Sequence, residues 1–182
     1  MQSESVSSRH QSILRLMEHG SHVLGLRLCF HDRTGRSGLS RDWTLHTNSH
    51  CVATKAVCTD ACRQFDGIDT AAALTGCPEG RIQHCHAGFT ELAAPVTCSG
   101  VPGGVLFAGQ CWLGEGPPPF PDLIVPPSHE WLEERLPVVR AYATELGRLL
   151  ELASPGGMRR QEITAFLEAH AQERLTLGML AH

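Results

Sequence analysis

Apolar positions along this chain recur with two different periods, and the change of period marks its elements. Val6, Ile13, Leu14, Leu16 and Met17 are spaced as on one face of a helix, which predicts an amphipathic helix over residues 5–19 that ends at Gly20. From His22 to Phe30 the pattern alternates as in a strand, and Asp32-Arg33-Thr34-Gly35 supplies a turn. A further short strand is expected around Trp43-Thr44-Leu45-His46-Thr47. Asn48 or Ser49 is placed to cap a helix that starts near Cys51 and runs to Phe65. Gly67 interrupts that pattern, and Thr70 to Leu74 makes another helical turn or two.

From Arg81 the character changes. Two apolar strand-like runs, residues 82–96 and 103–113, flank Ser99-Gly100, which reads as a hairpin turn. Cys85 is expected to open a central strand. Prolines at 117–119, 121, 126 and 127 break regular structure, and Ser128 caps a helix that runs to Ala153 and is kinked or divided by Pro137. On it Leu132, Leu136, Val139, Ala143, Leu146 and Leu150 form one apolar stripe, which predicts a homodimer through this helix, with docking on the chain's own sheet as the alternative. Ser154-Pro155-Gly156-Gly157 reads as a linker before a last helical segment, Arg160 to Gln172. Helices mixed with hairpin-connected strands give an α+β fold, an antiparallel sheet with helices on one side.

The chain has 182 residues, 42% of them apolar, enough for one domain with a core. A net charge of -4 offers no basic footprint for nucleic acid. The polar start, Met1 to Ser5, lacks the layout of a signal peptide, and no apolar stretch reaches the roughly 20 residues that span a bilayer. The expectation is a cytoplasmic protein that does not engage membranes, with its thiols reduced.

Eight cysteines then call for an explanation: metal binding, reactivity or plain burial. On one helix Cys51, Cys58 and Cys62 fall within about 40° of one another, yet Cys51 and Cys62 stand about 16 Å apart along the axis. Cys58 and Cys62, at i and i+4, suit one ion, with Cys85 as third ligand and Cys51, Cys77 or His86 as fourth. Such a set fits zinc or an iron–sulfur cluster. His84 and His86 share one side of a strand and Cys85 the other, so Cys85 and His86 should not meet one ion. Cys29, Cys98 and Cys111 read as small core residues.

The central block, Cys51, Cys62, Cys85-His86-Ala87-Gly88, Ala94-Pro95-Val96 and Gly109-Gln110, resembles the PocR-type sensory domain, a PAS-like ligand-binding module of bacterial signalling proteins. The likeness spans residues 20–115, and Cys58 and Cys77 depart from it. It implies a sensor of a small organic molecule; the cysteines leave a metal or redox sensor on the same scaffold as the alternative. The tail, Ile163, Phe166-Leu167, His170 and Leu175-Thr176-Leu177 to Leu180-Ala181, looks like the opening of an AraC-type DNA-binding domain. This second likeness implies a truncated transcriptional regulator, whose DNA-contacting helix lies beyond His182. The expected division is an N-terminal helix (1–19), a sensory domain (20–126), a signalling helix (127–153) and the start of the DNA-binding domain (158–182).

No phosphate loop, HExxH or GxSxG motif appears, and no carboxylate pair stands out, so no enzyme is expected. The candidate ligand-binding residues are His86, Phe89, Phe107, Gln110 and Trp112, with Trp43 as a further apolar wall and Arg27 as a further anchor.

Overall fold

The computed structural model describes residues 2–35 and 37–153, with side chains described from His10 to Glu151. The chain folds as α+β. A four-stranded antiparallel sheet has the order β1-β4-β3-β2, with β1 Leu28–Asp32, β2 Arg81–His84, β3 Thr90–Cys98 and β4 Val101–Cys111. The helices are α1 Gln2–Leu24, α2 Arg41–Thr44, α3 Ser49–Gln64, α4 Thr70–Ala73, α5 His129–Glu133 and α6 Leu136–Ala153. A π-helical turn, Phe65–Asp69, joins α3 to α4. None of the described helices is long and apolar enough to cross a membrane.

Alternation along the strands separates two faces. Leu28 and Phe30, Leu92, Ala94 and Val96, and Leu106 and Ala108 point to one core, where Ile13 and Met17 of α1 meet Val139, Ala143, Leu146 and Leu150 of α6. Cys29, Ala93, Val105 and Phe107 point to the other face, where Leu74 joins them. Helices therefore cover both faces, not one. The apolar stripe of α6 is docked on the chain's own sheet, so it is not the surface on which two copies would pair.

Gly20 does not end α1. A Cβ there would stand 2.5 Å from Leu28 Cδ1 and 3.0 Å from the Tyr142 ring, so the glycine lets α1 lie close to β1 and α6, and the helix runs on to Leu24. Gly25, at φ 63°, stops it instead. Residues 22–24 are accordingly helical, and β1 starts only at Leu28. Arg135 closes this corner: its Nε donates to Leu24 O at 3.1 Å and its guanidinium lies 3.4 Å from the Trp131 ring centre. Gly147 has the same role on α6, where a Cβ would stand 2.2 Å from Thr97 O of β3.

The expected strand at Trp43 to Thr47 is replaced by one turn of helix. Ser40 O takes the amides of Trp43 and Thr44, and the run has no strand partner among the described residues. The expected turn at Asp32 forms: Oδ1 accepts from Thr34 N, Thr34 Oγ1 and Gly35 N, and Oδ2 from Ser37 N. Ser99 and Gly100, at φ 50° and 75°, make the two-residue hairpin. Ser128 Oγ caps α5 by accepting from Trp131 N, and α6 begins afresh around Pro137. The linker from Ser154 and the AraC-like tail lie outside the described residues.

Candidate functional site

The face of the sheet away from α1 and α6 carries the polar residues. α3, the π-helical turn and α4 lie over it, tied down by side-chain bonds. Gln83 Nε2 of β2 donates to Thr70 Oγ1 at 2.8 Å and to Glu91 Oε1 at 2.9 Å, and Asn48 Nδ2 donates to Gln110 Oε1 at 2.6 Å. Asn48 stands at the head of α3 as expected, but its amide reaches across to the sheet and makes no cap.

Gln110 reaches this face through a bulge. Thr90 pairs with Cys111 and Glu91 with Gly109, so Gln110 is the extra residue of β4. Strict alternation from Phe107 would send Gln110 to the other core. The bulge sends Cys111 there, and Gln110 Nε2 donates to Glu91 Oε2 at 3.0 Å.

Between α3 and the sheet lies a cavity of about 20 Å³, lined among others by His46, Cys51, Asp66, Cys85, His86, Phe89, Glu91 and Gln110. That is room on the scale of one water molecule. Its floor is a buried ionisable group of three. His46 Nδ1 lies 3.4 Å from Asp66 Oδ2, and His46 Nε2 lies 3.9 Å from Glu91 Oε2, too far for a direct hydrogen bond. That Nε2 is buried without a hydrogen-bond partner. Burial pushes the His46 pKa down, but Cys29, Asp66 and Glu91 outweigh it and hold the imidazole well above its ordinary value. Burial likewise pushes the Asp66 carboxyl up, and His46 reverses this to a net lowering. Glu91 is raised, because burial outweighs the help from His46 and the two glutamine amides.

Three of the five residues expected to bind ligand line this cavity: His86, Phe89 and Gln110. Phe107 is fully buried behind it, its ring edge-on to His31 and His46 at centroid distances of 4.8 and 5.0 Å. Trp112 lies elsewhere: its Nε1 donates to Gly116 O and Gly114 packs on its ring, so it closes its own loop. Arg27 and Trp43 line a separate open groove, where Arg27 donates to Asp42 O and Thr47 Oγ1.

The expected cysteine set is only partly assembled. Cys51, Cys62 and Cys85 line the cavity, but Cys58 is exposed. A kink in α3 at Cys58, φ -134° and ψ 41°, breaks the regular helix on which the shared face depended. Cys77 donates to Gly80 O in the turn before β2 and takes no part. Among the described residues, the group of three or more candidate ligands with donor atoms within 4.8 Å of one another is Cys29, His31 and His46, none of which belongs to the expected set.

Cys85 does not open a central strand. It follows β2 in a tight loop, where Cys85 N donates to Phe89 O and Gly88 N to Cys85 O. The irregular loop brings Cys85 and His86 to the same cavity, against the strand-based expectation, and Cys62 Sγ lies 3.1 Å from His86 Nε2. Burial raises the thiols of Cys51, Cys62 and Cys85, so all three rest as neutral thiols.

Compared with known protein families, residues 9–144 match the sensory domain found in PocR. The chain belongs to this PocR sensory-domain family. No curated protein and no solved structure matches it. The PocR match extends beyond residues 20–115 and takes in most of α1 and the first half of α6, the two helices that pack together over the sheet. Within this PocR domain the sequence expectation leaves out His46 and Glu91. Glu91 alone carried a signal, a charged residue at the head of the apolar run Leu92 to Val96.

Proposed function

We propose that this domain senses a small organic molecule bearing a hydroxyl group, held in the cavity between α3 and the sheet. The observation that carries the reading is the fully buried Glu91, whose Oε2 faces the unpartnered His46 Nε2 across 3.9 Å. One oxygen seated between them completes both hydrogen bonds, as an ordered water or a ligand hydroxyl does. Phe89 and Cys51 supply apolar walls, and Gln110 fixes the orientation of Glu91. As it stands the cavity has room for about one water, so an organic ligand enters only with an outward shift of α3. In this reading the chain is a cytoplasmic binding module and not an enzyme. It is the sensory part of an AraC-type regulator, and the tail that resembles a DNA-binding start receives the signal.

The test is a melting-temperature screen with short-chain alcohols, diols and hydroxy acids, followed by calorimetric titration of the hits. At least one compound should raise the melting temperature saturably, and Gln110→Ala should weaken its binding by tenfold or more. A panel that leaves the melting temperature unmoved, or hits that bind Gln110→Ala as tightly as the unmutated chain, overturns the reading.

A further inference from the structure

Cys29 and His31 stand two apart on β1 and so project from the same face of the sheet. His46, from the segment between α2 and α3, closes over them, and one donor atom from each of the three lies within 4.8 Å of the others. The His31 and His46 rings are 4.9 Å apart between centroids. Two features mark this group as more than core packing. His31 Nε2 and His46 Nε2 are both buried without a hydrogen-bond partner, and the His46 side chain is 5% exposed. Buried ring nitrogens left unpaired are costly and rare unless something takes their lone pairs. The other ring nitrogen of His46 faces Asp66 Oδ2, the carboxylate–histidine arrangement that orients an imidazole toward a metal.

We propose that Cys29 Sγ, His31 and His46 bind one borderline-soft divalent ion, zinc by preference. One thiolate and two imidazoles suit that ion, and ligands at about 2.0–2.3 Å from a tetrahedral centre stand about 3.5 Å apart, so the group closes on it by shifts of an ångström or so. Lys55 Nζ donates to His46 O and steadies the backbone that presents the ring. The fourth position opens toward Glu91 and the cavity. For that position alone the inference rests on the small-molecule reading: with the ion bound, His46 Nε2 is a ligand, and the oxygen meets the ion in place of that nitrogen. Coordination converts the Cys29 thiol to a thiolate and releases its proton to solvent.

The experiment is a titration of the chelator-stripped, folded 182-residue chain with cobalt(II) alone, with no organic compound present. One equivalent should bind with tetrahedral visible bands and a near-ultraviolet thiolate-to-cobalt band. Cys29→Ser should abolish the thiolate band, and His31→Gln should weaken binding by tenfold or more. Cys62→Ser and Cys85→Ser should leave both spectrum and affinity in place. Asp66→Asn should keep the band and lower affinity by about 10–100-fold, as expected of a positioning residue. Absence of stoichiometric cobalt binding overturns the proposal and leaves the organic-ligand reading standing. So does a thiolate band that survives Cys29→Ser, or one lost with Cys62→Ser or Cys85→Ser. Should Cys29→Ser fail to fold by far-ultraviolet circular dichroism, His31→Gln decides: unchanged cobalt affinity there overturns the site.

Discussion

Gln110 Nε2 donates a 3.0 Å hydrogen bond to Glu91 Oε2 on the face of the sheet opposite α1 and α6. The same amide, through Oε1, holds Asn48 at the head of α3. Gln110→Ala therefore leaves a buried carboxyl short of one donor and Asn48 without its acceptor. The expected loss is about 2 kcal/mol, a drop of roughly 4–8 °C in melting temperature for a chain of this size. A thermal denaturation curve that coincides with that of the unmutated chain would show that this bond does not hold α3 to the sheet.

Leu146 lies at 0% exposure in the core between α6 and the sheet. Leu146→Ala should cost about 2–5 kcal/mol through the cavity it opens, measured by urea denaturation. Leu146→Glu should abolish cooperative unfolding outright, because an unpaired charge would be buried. If Leu146→Glu instead stays folded and only changes the mass in sedimentation, the stripe is a surface between copies after all.

Gly20→Ala sets helix propensity against packing. A helix interior gains up to about 1 kcal/mol from this change, whereas the added methyl would lie 2.5 Å from Leu28 Cδ1 and 3.0 Å from the Tyr142 ring. Overpacking at about 1–3 kcal/mol outweighs the propensity gain. The variant should melt lower than the parent; a rise in melting temperature would mean that α1 is free to retreat.

Asp32 holds its loop with both carboxylate oxygens, and these hydrogen bonds outweigh its partial burial to lower its pKa. Asp32→Ala should destabilise the chain by about 2 kcal/mol. Amide hydrogen exchange should quicken at Thr34, Gly35 and Ser37 while the amides of β3 stay protected to nearly the global limit. Uniform acceleration across the sheet would show that the turn is not a local unit.

Where local chemistry decided the outcome, the residues were enough to read it. Ser99-Gly100 can form a two-residue turn, Ser128 caps, and Asp32 folds its own loop, each within a few positions. Where distant groups decided, reading failed. Gly20 looks like a helix stop until Leu28 and Tyr142 are in place. Gln110 would face the wrong core but for one extra residue in β4. Cys58 loses the face it shares with Cys51 and Cys62 because α3 kinks there. Cys29 is a buried core residue, as its pattern reads, but nothing in its neighbourhood announces that His46, seventeen positions on, folds back over it. The fold class was legible for the same reason that the cavity floor was not: periodicity records which side of an element is apolar, but not which polar groups meet across elements.

Gly147 and Thr97 meet backbone to backbone, and that contact leaves no clearance between α6 and β3. Side chains at such a seam would act as a cushion; here there is none to compress. β3 is nine residues long, with Glu91 near one end and Thr97 near the other. On the proposed reading, a shift of Glu91 by an occupant of the cavity would pass along this strand, irregular between Val96 and Thr97, to the point where it meets the helix. Any tilt of β3 at Thr97 would then be handed to α6, because the bare glycine leaves no gap there to absorb it.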